Sequence, residues 1–118
     1  MTRRLLILTV VSVLSSLPAD AATPVRSVRD LVHMCEMPTA SPPYAVCLGY
    51  ISAVGDILKF LGAGTEPHAA KPIGICGSPT YGEMVETFLH WAKANHKHWE
   101  DHRTEGVMQA LEERWPCS

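Results

Sequence analysis

The sequence predicts an all-α fold, a small disulfide-linked bundle of about four helices. Three observations indicate it. Apolar residues recur with the period of a helix in four separate segments. No segment shows the sustained alternation of apolar and polar residues that is typical of a strand. Four cysteines in a chain of 118 residues indicate two disulfides, because a small exported domain usually reinforces its modest core in this way.

The N-terminal segment has the pattern of a secretory signal peptide. Two arginines give it a positive start, residues 5–17 are apolar, and residues 19–21 read Ala-Asp-Ala. The apolar run is shorter than the roughly 20 residues of a membrane span. We therefore expect residues 1–21 to be removed, and residues 22–118 to form a periplasmic domain that has no membrane attachment after cleavage.

Composition excludes one class of partner. About 97 residues remain after cleavage, which suggests a single domain. Without Arg3, Arg4 and Asp20 they contain eight basic and eleven acidic residues, and no basic stripe. Binding to the phosphates of a nucleic acid needs such a stripe, so we expect no nucleic-acid partner.

The first two helices are predicted from a serine cap and a proline pair. Ser27 can cap a short helix over about Val28–Cys35. The prolines at 42–43 suit the first turn of a second helix, which has the longest apolar stripe. That stripe consists of Cys47, Tyr50, Ile51, Val54, Ile57, Leu58 and Leu61. Gly49 and Gly55 would each cost about 1 kcal/mol relative to alanine there. Either a neighbouring backbone approaches closely, or the helix tolerates them.

Residues 62–78 contain four glycines and two prolines and are predicted to be a long surface loop. The third helix then starts at Thr80, because Thr80 and Glu83 have the spacing of a capping box. Its apolar stripe consists of Tyr81, Met84, Val85, Phe88, Leu89 and Ala92. A fourth helix is predicted from the polar break after Asn95 to about Arg114. Its apolar side consists of Trp99, Gly106, Val107, Ala110, Leu111 and Trp115.

The order of these helices predicts the disulfide pairing. Cys35 ends the first helix and Cys47 lies in the first turns of the second, so an antiparallel turn brings them together. Cys76 precedes the third helix and Cys117 follows the fourth, and in a helix hairpin those two ends meet. We therefore expect the disulfides Cys35–Cys47 and Cys76–Cys117.

No residue group has the pattern of a catalytic, cofactor or metal site. His98 and His102 are four apart, but the order of residues between them fits neither metalloprotease motif. Catalytic zinc would also need a third ligand. No serine elbow, phosphate loop or dinucleotide motif is present, and the cysteines are used in disulfides. We therefore predict a protein that is not an enzyme, with no cofactor. A role of the histidines in sensing pH stays open.

The chain resembles the Rap/Tai immunity proteins, a family that accompanies type VI secretion systems. The likeness extends from about Leu31 to Cys117, and its most specific part is the Cys-x-Gly-Tyr-Ile block combined with a terminal aromatic-Pro-Cys. The matching residues are Leu31, Cys35, Cys47, Leu48, Gly49, Tyr50, Ile51, Val54, Asp56, Cys76, Thr80, Trp115, Pro116 and Cys117.

This resemblance implies a helical periplasmic protein that binds and blocks a peptidoglycan amidase effector, often as a homodimer. The contact residues are not implied by the likeness. Because exposed loops carry recognition more often than the framework does, we expect contacts from the 62–75 loop, with Glu66, His68 and Lys71. The alternative function is that of a small periplasmic acid-stress chaperone, which would dissociate and expose apolar surface near pH 3.

Overall fold

A computed structural model of the protein describes residues 24–66 and 71–117. The predicted signal peptide and His68 lie outside these ranges. The described chain contains four α-helices: α1 (Val28–Cys35), α2 (Pro42–Ala63), α3 (Tyr81–Ala94) and α4 (Arg103–Arg114). Every helix contacts the other three, and no strand forms within the described ranges apart from one isolated bridge. The predicted all-α bundle is confirmed.

The helix starts follow from residues close by in sequence. The Ser27 hydroxyl accepts from the amide of Asp30, whose carboxylate accepts from the Ser27 amide. Thr80 and Glu83 form the same reciprocal pair at the start of α3, as predicted. Ser41 caps α2, and the prolines at 42–43 occupy its first turn. Each cap satisfies amides that have no partner inside the helix, so the ends are stable in water.

One hydrophobic core lies between the helices, and the predicted stripes identify most of it. Its buried members are Val28, Leu31, Val32, Cys35, Cys47, Ile51, Val54, Leu58, Ile75, Met84, Val85, Phe88, Trp91, Ala92, Val107, Ala110 and Leu111. Three assignments were wrong: Ile57, Leu61 and Tyr81 are exposed, and Ile57 keeps 61% of its surface in solvent. The next residue, Leu58, is 1% exposed, so the face of α2 that the core covers includes Leu58 but not Ile57.

The fourth helix begins later than predicted, and Trp99 lies outside it. Residues 96–98 form a 3₁₀ turn, and α4 starts at Arg103. The intervening backbone pairs with the start of α1: the Val28 amide donates to the carbonyl of Asp101 at 2.9 Å, and the Arg29 amide to that of Trp99 at 2.9 Å. These carbonyls are therefore not available for a helical turn.

Two disulfides tie the helix ends together in the predicted pairs. The Cα atoms of Cys35 and Cys47 are 5.2 Å apart, and those of Cys76 and Cys117 are 4.8 Å apart. The first links α1 to α2, and the second links the segment before α3 to the segment after α4. Each disulfide therefore cross-links one pair of consecutive helices.

The helix glycines have different surroundings. A Cβ placed on Gly49 meets no atom within 4 Å beyond its own stretch of helix, so no contact among the described residues requires this glycine. At Gly55 the neighbour is the side chain of Met84, not a backbone. The close backbone approach occurs at Gly62, where a Cβ would overlap the carbonyl of Ile75. The loop was predicted to begin at residue 62, but α2 continues to Ala63, so Gly62 lies inside the helix.

Helix α2 is also the most apolar element. It has 22 residues and a mean hydropathy of 1.5 over its most apolar window, enough by length and composition to cross a membrane. Its buried stripe packs against α1, α3 and α4, and Cys47 links it to α1. These contacts place one side of α2 inside the bundle, and 33% of that window is buried.

Candidate partner-binding surface

The C-terminal end of α2 and the chain that returns beneath it carry an exposed apolar surface. Phe60 is 80% exposed, Ile73 is 55% exposed and Leu61 is 39% exposed. A groove of about 570 Å³ separates the helix end from the returning chain. Its lining, which we call the α2-end surface, consists of Phe60, Leu61, Ala63, Gly64, Thr65, Glu66, Lys71 and Ile73.

The returning chain is held against α2 by backbone contacts. The Ile75 amide donates to the carbonyl of Leu58 at 3.0 Å. Gly74 has φ of +89°, a conformation that favours glycine, and its amide donates to the Glu112 carboxylate at 3.3 Å. This turn directs Ile75 into the core and leaves Ile73 exposed. The exposed apolar side chain of Ile73 therefore belongs to a segment whose backbone is fixed by hydrogen bonds.

The start of the loop is tied to its end by one threonine. The Thr65 hydroxyl lies 2.8 Å from the carbonyl of Ile73 and 3.1 Å from the carbonyl of Leu61, within hydrogen-bonding distance of both. This hydroxyl therefore links the chain segments that precede and follow residues 67–70. A loop closed in this way loses less conformational entropy when a partner binds it.

Two of the three predicted contact residues lie together. Glu66 and Lys71 are both exposed and line the same groove, while His68 lies outside the described residues. The prediction did not include Phe60 and Ile73, which are the most exposed large apolar side chains in this lining. The signal for Phe60 was available, because it falls off the helical stripe that contains Leu58. The exposure of Ile73 depends on the turn at Gly74 and has no sequence signal.

A polar cluster borders this surface one turn earlier on α2. The Tyr81 hydroxyl donates to the Asp56 carboxylate, at 3.2 and 3.1 Å from its two oxygens. The Lys59 ammonium lies 3.9 Å from Asp56 and 5.3 Å from the centre of the Tyr81 ring. This hydrogen bond, together with the carboxylate charge, raises the pKa of Tyr81. The phenol therefore stays protonated and holds α3 to α2 at the edge of the surface.

The histidines between α3 and α4 have separate structural contacts. His98 Nδ1 lies 2.6 Å from the Asp101 carboxylate, and the His96 ring stacks on Trp99 with centroids 4.5 Å apart. His102 caps α4 through its Nδ1 atom. Within residues 24–66 and 71–117, no group of three or more His, Cys, Asp or Glu side chains is placed to hold a metal ion. His98 and His102 do not share a helix face, since neither lies inside an α-helix.

The α2-end surface combines an apolar centre with a carboxylate and an ammonium at its edge. Large exposed apolar groups with a polar rim are typical of protein contact surfaces. A family model described as Rap1a immunity proteins matches residues 27–117. The match covers all four helices and all four cysteines. No match was found among curated proteins or among solved structures.

Proposed function

The chain belongs to the Rap1a immunity protein family, and from this premise we propose that it binds and inhibits a type VI secretion peptidoglycan amidase effector in the periplasm. Membership makes it an immunity protein against a secreted effector. The family match over residues 27–117 is the observation that carries the proposal. The disulfides and the export signal expected in residues 1–21 support a periplasmic location, because disulfides persist in oxidising compartments.

Inhibition by such a protein requires binding alone. We assign the effector contact to the α2-end surface, because it places Phe60 and Ile73 in solvent beside the exposed charges of Glu66 and Lys71. Aromatic side chains at the centre of an interface often contribute about 2 kcal/mol or more. The bundle is cross-linked and the loop base is tied, so little order has to be gained on binding.

The experiment searches the genes beside this one for a peptidoglycan amidase effector, directs that effector to the periplasm with and without this protein, and scores lysis. Protection from lysis, together with inhibition of peptidoglycan hydrolysis by the purified pair, is the expected result. Equal lysis in both cultures, with the immunity protein present and oxidised, would contradict the proposal. Dissociation and exposed apolar surface near pH 3 would then favour the acid-stress chaperone.

The contact assignment has its own matched pair of variants. Phe60→Ser should weaken effector binding by at least about 30-fold, equivalent to about 2 kcal/mol. Met37→Ser removes another exposed apolar side chain, between α1 and α2, and should leave affinity within about threefold. Equal losses in the two variants would refute the location of the contact but not the inhibition.

We also propose that the homodimer implied by the family forms through the outward face of α2. Ala45, Gly49 and Ala53 are exposed at four-residue spacing, and the exposed side chains of Val46 and Ile57 flank them. Small residues at this spacing let two helices approach closely. Gly49→Leu should shift sedimentation velocity profiles toward monomer, whereas Gln109→Leu on exposed α4 should not. A monomeric unmodified protein would contradict the dimer.

A further inference from the structure

The two disulfides differ in how far the surrounding structure encloses them. Cys35 and Cys47 both lie inside helices and are buried, with 4% and 0% of their surfaces exposed. Cys76 is exposed and Cys117 is partly exposed, and neither belongs to a helix. A reagent in solution therefore reaches the first disulfide only if α1 separates from α2, whereas the second lies between two irregular segments.

The segment that carries Cys117 has few other attachments. The carbonyl of Trp115 accepts from the Cys76 amide at 3.0 Å. Residues 116–117 form no backbone hydrogen bond with another described residue, and a proline has no amide hydrogen to donate. Segments with few hydrogen bonds and little buried apolar surface open locally at a low free energy. Access to this disulfide therefore does not require any helix to unfold.

The same disulfide packs against the helix end that forms the α2-end surface. The sulfur of Cys76 lies 4.0 Å from the carbonyl oxygen of Gly62, and a Cβ placed on Gly62 would lie 2.9 Å from the sulfur of Cys117. Three residues before Cys76, Ile73 contributes an exposed apolar side chain to that surface. The two sulfurs therefore join α2, the returning chain and the segment after α4 at one place.

We propose that the Cys76–Cys117 disulfide is a site of thiol–disulfide exchange, and that its opening by a dithiol loosens the α2-end surface while Cys35–Cys47 stays closed. A thiolate of the dithiol attacks the Cys76 sulfur, the bond between the sulfurs breaks, and Cys117 leaves as a thiolate that takes up a proton. The second thiol of the reagent then attacks the mixed disulfide and releases Cys76 as a thiol. The protein gains two electrons and two protons, and the dithiol becomes a disulfide.

Opening removes the covalent link across 41 residues of chain that include α3 and α4. The buried side chain of Ile75 and its hydrogen bond to Leu58 still hold the returning chain, so the surface loosens without detaching. Weaker effector binding under reducing conditions follows, and this consequence alone rests on the proposed function. The tests below use no effector, so a protein that exchanges in this way but binds no effector would contradict only the proposed function.

Stepwise reduction of the folded, oxidised protein with dithiothreitol tests the exchange. Samples are quenched with N-ethylmaleimide, and mass spectrometry of unreduced peptides locates the modified cysteines. Cys76 and Cys117 should be modified at least about tenfold faster than Cys35 and Cys47, because local opening costs less than separation of two helices. In guanidinium chloride, where neither bond is enclosed, the two rates should agree within about threefold. Equal rates in the folded protein, or the same preference in the unfolded one, would overturn the proposal.

The double variant Cys76→Ser with Cys117→Ser, which keeps the site open, tests the effect on the surface. Its ¹H–¹⁵N NMR spectrum should stay dispersed, as expected for a folded bundle. The amide signals of Thr65 and Ile73 should broaden or lose heteronuclear NOE relative to the oxidised protein, because their segment is held less firmly. The amide of Leu31, in α1, should keep its NOE. Unchanged signals of Thr65 and Ile73, or a spectrum typical of an unfolded chain, would overturn the local loosening.

Discussion

The contact between α2 and the returning chain predicts that Gly62→Ala is destabilising. A methyl group at residue 62 would overlap the carbonyl of Ile75 and lie 2.9 Å from the sulfur of Cys117. Neither atom is free to withdraw. The Ile75 amide is bonded to the carbonyl of Leu58, and Cys117 is bonded to Cys76. The substitution must therefore push the returning chain away from α2.

The magnitude follows from what this displacement breaks. Ile75 is 2% exposed, and the loss of its burial costs about 1.5–3 kcal/mol. The loss of its hydrogen bond to Leu58 costs about 0.5–1.5 kcal/mol. Replacing a helix glycine by alanine returns up to about 1 kcal/mol. The free energy of unfolding should therefore fall by about 1–4.5 kcal/mol in Gly62→Ala.

Gly49→Ala is the matched control, since it lies in the same helix and no atom is within 4 Å of its added methyl group. It should raise the free energy of unfolding by up to about 1 kcal/mol. Urea denaturation of the oxidised proteins, followed by circular dichroism at low concentration to avoid any contribution from association, measures both. A Gly62→Ala protein as stable as the unmodified one, or equal shifts in both variants, would refute the reasoning.

Three further predictions concern the disulfides, the helix caps and the histidines. Replacing Cys76 and Cys117 together by serine should lower the free energy of unfolding by up to about 4 kcal/mol in urea, because their bond closes a loop of 41 residues; an unchanged midpoint would contradict this. The pKa values of Asp30 and Glu83 lie below their ordinary values of 3.8 and 4.5, because backbone amides donate to the ionised carboxylates. The stability that these two ionised carboxylates contribute is present above the ordinary values and is lost as the pH falls through the lower folded-state pKa. The double variant Asp30→Asn with Glu83→Gln should therefore lose less Tm on acidification than the unmodified protein does. An equally steep fall of Tm in both proteins would count against this. His102→Ala should cost about 1 kcal/mol of stability, because the ring caps α4, and should leave effector affinity within about tenfold by calorimetry; a larger loss of affinity would restore a functional role to the histidines.

Local features could be predicted from the sequence because the residues that make them are neighbours in the chain. The caps at Ser27 and Thr80 act over three positions, and the prolines at 42–43 act on their own turn. The disulfide pairing could be predicted from the order of the helices. Two consecutive antiparallel helices place the cysteines at their ends side by side, wherever the other helices pack. The removal of residues 1–21 stays a prediction.

The candidate site was predictable only in part. Glu66 and Lys71 were predicted from the general exposure of loops, and both line the groove, but their contact with an effector stays a prediction. The exposed side chains of Phe60 and Ile73 in the same lining were not predicted. These features depend on which side of a helix its neighbours cover, and a single sequence does not state that.

The sequence by itself determined the helical class, the positions where helices start and the cysteine pairs, since hydrophobic period, capping and chain order are properties of short segments. Only the tertiary structure decided which members of each stripe are covered. Ile57 and Leu58 are adjacent, yet only Leu58 is buried in the core. The tertiary structure also placed the carbonyl of Ile75 against Gly62, 13 residues apart, and so created the α2-end surface. The helical period of apolar residues shows which residues share a helix face. Contacts between segments that are distant in sequence decide what covers that face.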